Sequence, residues 1–372
     1  MRRDRPAAPH RLAGPGCADP AEDNAMPTRL DARRILIFLT FAFGLAWLTA
    51  LAVARTGGLA DSPVLPGTGL SLALLLIAGP YMWAPALAHL LTRWVTREGW
   101  RDTGVRPNVR GWPYWLAGWV LPAVMTVAGS VIYFVFFPQH YDPALTRLRD
   151  LLAQSGQAAL DPWFVAVTQT LMGVLIAPLI NGFFTFGEEF GWRAYLQAKL
   201  MPLGPRRALL VLGVIWGVWH WPVIALGHNY GLDYPGAPWL GMLAMVWFTL
   251  GLSVFLGWLT LRDGSVWPAV IAHAAINGIS ALGALFVQGE PSPLVGPLPT
   301  GLIGGAAWTA LALALLIIPG ALRAPAAPVP AGRQAPVAPH AAAVLPSAPA
   351  AAPSEPTAEE LERQVRESRY SR

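Results

Sequence analysis

Cysteine is nearly absent from this chain: Cys17 is the only one in 372 residues. That excludes an internal disulfide framework and a cysteine-based metal site, and it leaves the redox compartment open. Lysine is equally scarce, with Lys199 standing alone against 25 arginines. Charged residues make up only 13% of the sequence, while 54% is hydrophobic and the mean hydropathy is +0.45. Such a balance excludes an ordinary soluble domain. Two catalytic signatures are also missing. No His-Glu-x-x-His run marks a zinc protease, and no Gly-x-Ser-x-Gly elbow marks a serine nucleophile. Cys17 lies outside the apolar part, so a thiol nucleophile has no support either. The net charge of +5 comes without an aromatic–basic module, so nucleic acid is not an expected partner.

What the chain has is apolar length. Runs at about Ile35–Ala54, Leu70–Leu91, Trp115–Phe137, Trp163–Phe186, Ala208–Leu226, Trp239–Leu261, Val266–Val287 and Leu302–Ile318 predict eight membrane-spanning helices. The fold class is therefore all-α, a polytopic helical bundle. Its 17 tryptophans suit the headgroup region. The end of the first run, Ala52-Val53-Ala54, resembles a signal-peptidase site, but the apolar stretch exceeds a signal h-region and a retained span is expected. Arg93, Arg97, Arg101, Arg106, Arg110, Lys199, Arg206, Arg207 and Arg262 fall on one side of this layout, against Arg55, Arg147 and Arg149 on the other. Both termini are expected in the cytoplasm, in a cell membrane.

The flanks differ in kind. Residues 1–34 read as a disordered basic arm, with Met26 as a second possible start. The membrane domain is expected over residues 35–320. Residues 321–372 read as an Ala/Pro-rich linker, after which Thr357-Ala-Glu-Glu360 opens a short charged helix.

Ionisable groups inside the spans are few. The run Gly187-Glu188-Glu189-Phe190-Gly191-Trp192-Arg193 closes the fourth span, and two adjacent glutamates there are costly unless paired or used. His220 sits in the fifth span, and His273 and Asn277 sit in the seventh. Counted along ideal helices, Glu188, His220 and His273 lie about 18, 21 and 12 Å from the arginine-bearing face, a shared depth leaning to that side. Glu189 and Arg193 are i, i+4 with the acid first, which predicts an ion pair and leaves Glu188, about 100° around the helix, for water or substrate. A lone membrane histidine often serves as interhelical glue, so the shared depth is what argues for a site. A carboxylate beside a histidine can deprotonate water, and an amide with a second histidine can stabilise an oxyanion. The alternative is a divalent ion such as zinc on Glu188, His220 and His273.

In order, Glu188-Glu189-x-x-x-Arg193, Trp216-x-x-x-His220 and His273-x-x-x-Asn277 resemble the motifs of the CPBP family of intramembrane proteases. That family includes the type II CAAX prenyl endopeptidases and bacterial Abi-type proteins. The resemblance covers about residues 163–280. It implies an eight-helix fold with a site open to the cytoplasm and an endopeptidase acting near that membrane face. By motif match, Glu188 with His220 would activate water, His273 and Asn277 would hold the oxyanion, and Glu189 with Arg193 would support them. The family has been described both as metalloproteases and as glutamate proteases. Membrane-associated or lipidated peptides are the implied partners, beside the bilayer itself. Trp216 departs from the family's usual phenylalanine and is expected to fill the same packing role. Two other readings use the same residues. One is a non-proteolytic scaffold or bacteriocin-immunity-like protein of the same fold. The other is a proton relay, which lacks repeat symmetry and a polar string from face to face.

Overall fold

The carboxylate of Asp31 accepts the Arg34 backbone N–H at 3.1 Å and so starts the first helix, α1, Ala32–Arg55. The computed structural model describes residues 29–100, 102–324 and 358–368. Most of the expected basic arm with Met26 (residues 1–28), the Ala/Pro-rich linker from residue 325 and the Thr357 cap lie outside the described residues, while the arm's last three residues, Ala32 to Arg34, are already helical rather than disordered. A hydroxyl cap from Ser71 opens α2, Leu72–Thr96, which widens to a π turn over Ile77–Tyr81 around Pro80. Then follow α3, Val109–Phe136, and a short surface helix α4, Thr146–Gln154. Next come α5, Pro162–Leu175, and α6, Ala177–Leu203. The remaining elements of this unit are α7, Pro205–Ala225, α8, Trp239–Asp263, α9, Trp267–Ile279, and α10, Ala306–Ile317. A separate unit holds α11, Ala358–Ser368, close to where the charged tail helix is expected. Among the described residues there is no strand, only two isolated bridges.

The chain is a multi-pass helical membrane protein. Among the described residues six helices are long and apolar enough to cross a bilayer, and the bent pair α5–α6, counted as one span, makes seven. The expected eighth span is shorter than its apolar run: Gly301, Gly304 and Gly305 pack in turns against Gly296 to Pro299, so α10 has only 12 residues. The fourth expected span bends by 49° between α5 and α6. Pro178 explains the bend, since it has no N–H to offer the carbonyl four residues back. That carbonyl, on Val174, instead accepts the Trp119 indole N–H at 2.7 Å.

Glycines set the helix spacing around the site. A Cβ on Gly187 would sit 2.8 Å from the Met82 carbonyl oxygen, and one on Gly191 would sit 2.4 Å from Pro85. The two side-chain-free positions let α6 lie directly on α2. Gly213 and Gly217 seat α7 on α8 in the same way, against Leu250 and Val246. Trp192, Trp216 and Trp219 fill the core between these helices, each almost fully buried. Apolar side chains such as Leu179, Ile180 and Phe183 point outward, as a lipid-facing surface requires.

The two ends of the bundle are distinct. At one end Arg34, Lys199 and Tyr195 converge on Glu98, and Arg93 reaches Asp102 at 2.9 Å. The described residues of segment 97–108, which exclude residue 101, fold back there beneath α6 and α9. Val266 N–H donates to Gly104 O at 3.0 Å, Trp267 Nε1 to Val105 O at 2.8 Å, and Asn108 Nδ2 to Asp263 O at 2.7 Å. At the other end, Tyr230 Oη donates to Thr300 O at 3.0 Å and Ser130 Oγ to Pro297 O at 2.9 Å. These contacts gather the loops between α7 and α8 and between α9 and α10.

Candidate active site

Glu188 and Glu189 lie on α6 with side chains almost wholly buried, and their partners divide them. Glu189 meets Arg193 twice, Nη1 to Oε1 at 3.3 Å and Nε to Oε2 at 3.1 Å, the second off the hydrogen-bond direction. The expected i, i+4 pair is present. Glu189 Oε1 also receives Nδ1 of His273 from α9 at 2.8 Å, a contact that spacing along one helix does not predict.

Glu188 instead takes its hydrogen bond from Trp216 on α7, indole Nε1 to Oε2 at 2.8 Å. Trp216 joins the whole cluster. The Arg193 guanidinium lies 4.4 Å from its ring centre, within cation–π range. Its backbone carbonyl accepts from Nδ1 of His220 at 2.8 Å, and its ring meets that of His273 edge-on at 5.3 Å. The expected packing role is therefore incomplete, because a phenylalanine ring has no N–H to give a carboxylate.

The two histidines share a chemical state at Nδ1. A carboxylate and a backbone carbonyl only accept, so that nitrogen carries the hydrogen in both rings. Nε2 is then the nitrogen left for chemistry. Both histidines line one cavity of about 280 Å³, together with Glu188 and Asn277. His220 sits at the junction of Trp219 and Trp221, where the helix eases before Pro222. Asn277 is exposed one turn beyond His273.

The cavity's position differs from the expected lean toward the arginine-bearing face. Its lining comes from the first half of α2 and of α8, the last half of α7 and of α9, and the loops carrying His228, Asn229 and Thr300. Counting rises along single helices places the side chains near that face but takes no account of segment 97–108, which fills the space beneath them. Ala86, Phe190, Ala194, Val266 and Val270 pack into an apolar layer there.

Other polar residues in the spans are structural. His89 Nδ1 donates to Phe190 O at 2.9 Å and its Nε2 accepts from Arg93 at 2.6 Å. Asn181 Nδ2 reaches Ala274 O at 3.4 Å. Tyr81, His228 and Asn229 also line the cavity, and the last two lie outside the apolar runs. The available signal was a polar pair eight residues past His220, between Gly227 and Gly231. Burial holds the His228 imidazole below its ordinary range, so it is neutral near pH 7.

A metal shared by three side chains needs donors that converge on one point. Among the described residues no three His, Cys, Asp or Glu side chains are grouped to share an ion. The set Glu188, His220 and His273 does not fit a metal as placed, and no step below passes through one.

Residues 162–279 match the family model described as "Type II CAAX prenyl endopeptidase Rce1-like". A 96-residue stretch is 29% identical to "CAAX prenyl protease 2" of Methanococcus maripaludis, covering 24% of this chain and 34% of that relative. The chain thus spans about a third of the length of the curated relative it matches. All six expected site residues fall within the matched segment.

Proposed function

From a segment that is Rce1-like and a cavity holding one free carboxylate, we propose that this chain is an intramembrane endopeptidase. Its substrate is a membrane-associated or lipidated polypeptide. The observation that carries the reading is the division of the glutamates: Glu189 is committed to Arg193 and His273, while Glu188 faces the cavity with one indole hydrogen bond. Glu188 and Nε2 of His220 hold a water and take its proton as it attacks the peptide carbonyl. The oxyanion then forms beside His273 and the Asn277 amide, which donate to it. With Nδ1 held by Glu189, His273 presents Nε2 to the oxyanion and donates from it when both ring nitrogens carry hydrogen. The proton held on Glu188 passes to the leaving amine, the bond to carbon breaks, and the cycle closes. Arg193 holds Glu189 in place, and Trp216 fixes the rotamer of Glu188.

Purified protein and a quenched, membrane-tethered peptide test this. Glu188→Ala and His220→Ala are expected to lower cleavage by about 10²–10⁴-fold each, the usual contribution of a positioned acid–base group. Equal turnover in wild type and both variants would remove the protease reading and leave a scaffold of the same fold.

A further inference from the structure

The two ends of the bundle differ in charge as well as in shape. Around the end sealed by segment 97–108, the described residues place 12 arginines and lysines, from Arg29 to Arg323, against four acids, Asp31, Glu98, Asp102 and Asp263. The opposite end carries Arg55, Arg147 and Arg149 against Asp61, Asp142, Asp150, Asp161, Asp233 and Glu290. Short loops rich in arginine stay in the cytoplasm, so the sealed end is the cytoplasmic one. Contacts between loops assign these ends independently of any count of spans.

The cavity belongs to the other end. From Glu188 it runs past His220 and Asn277 to His228, Asn229 and Thr300, on the loops that close the acidic face. Toward the arginine end, Glu189 and Arg193 are followed by the apolar layer and then by Gly104, whose added Cβ would meet that of Ala194 at 3.4 Å. A peptide entering from that side would have to displace segment 97–108 with its hydrogen bonds to Val266 and Trp267. One entering from the acidic side meets a cavity already formed, with Val223, Phe248 and Leu252 on its walls.

Resting on the protease reading above, we infer that the scissile bond reaches Glu188 from the extracytoplasmic half of the bilayer. The substrate class is then an exported or outward-anchored polypeptide with an apolar side chain beside the cut, not a lipidated chain end in the cytoplasm. This reverses the sidedness that the family resemblance implies.

The test has two arms. In a Cys17→Ser background, Asp233→Cys and Arg106→Cys place single thiols on exposed loop positions at the two ends, away from the cavity chemistry. A membrane-impermeant maleimide on intact spheroplasts should label Asp233→Cys, and label Arg106→Cys only after permeabilisation. The reverse pattern overturns the inference. Both variants are first checked for wild-type cleavage in detergent, so a misfolded variant is recognised. In the second arm, one tethered reporter presents its cleavable segment outside and another presents it inside. Loss of the outward reporter with wild type, but not with Glu188→Ala, is expected, and cutting of the inward reporter alone overturns the inference. If neither reporter is cut and detergent assays are also silent, the protease reading fails, while the labelling still fixes which side the cavity faces.

Discussion

The arginine-bearing end and the cavity-bearing end solve opposite problems with similar residues. At the first, Arg93 is 1% exposed and shares its donors among His89, Gly99 O and Asp102, while Glu98 collects Arg34, Lys199 and Tyr195. Arg34, Arg93 and Lys199 there each end on another protein group, and the result is a closed plate. At the second, the charges are as deeply buried but incompletely matched. Arg193 Nη2 has no hydrogen-bond partner and rests on the face of Trp216 instead. The comparison teaches that saturation, more than burial, separates a structural ion cluster from one able to do chemistry.

Breaking the cavity-side cluster should cost most. Arg193→Ala leaves the Glu189 carboxylate buried without its cation, which costs about 3–5 kcal/mol. Thermal unfolding in detergent should show the loss, together with abolished peptide cleavage. A smaller effect should follow from Trp216→Phe, which keeps the ring but removes the N–H that Glu188 accepts. Hydrogen bonds to charged groups are worth about 1.5–3 kcal/mol, so turnover should fall roughly 10- to 150-fold with little change in melting temperature. An unchanged rate would return Trp216 to simple packing.

At the cavity-bearing end, local acid sensitivity is expected at the Asp142 turn. Burial alone would raise the Asp142 carboxyl, but the Thr146 and Ala144 N–H groups at 2.6 and 2.9 Å and Arg149 hold it below its ordinary range. Because the folded value is the lower one, the turn gains stability above about pH 4, and loses it as pH falls through the depressed value. Hydrogen exchange of residues 142–154 should therefore rise only in strong acid, and Asp142→Asn should abolish the pH step. The least effect is expected at the closed plate. Asp102→Asn removes one exposed partner of Arg93, which keeps His89 and Gly99, and should cost under about 1 kcal/mol. A larger loss would mean that segment 97–108 depends on that single contact.

These contrasts show which parts of the molecule were legible in the sequence. Glu189–Arg193 was legible because i, i+4 geometry is local and needs no knowledge of the fold. His273 on Glu189 was not, since it depends on how α9 crosses α6. Trp216 was hidden differently: among 17 tryptophans, nothing in the sequence marks the indole that donates to Glu188. The apolar runs predicted the helices well but overstated the last, because a hydropathy window scores the glycine turns before Ala306 as continuous apolar chain. The direction of the cavity was lost for a third reason. Segment 97–108 is a loop by composition, and only its hydrogen bonds to Val266 and Trp267 make it a floor.

Gly187 and Gly191 have a consequence beyond close packing. They act as a keyway: α6 seats on α2 only in the azimuth that turns both bare positions toward Met82 and Pro85. Adjacent residues on a helix are about 100° apart, so a rotation by one residue would turn Glu189 toward the cavity and Glu188 away from it. Two absent side chains thus decide which of two chemically identical neighbours is the working acid.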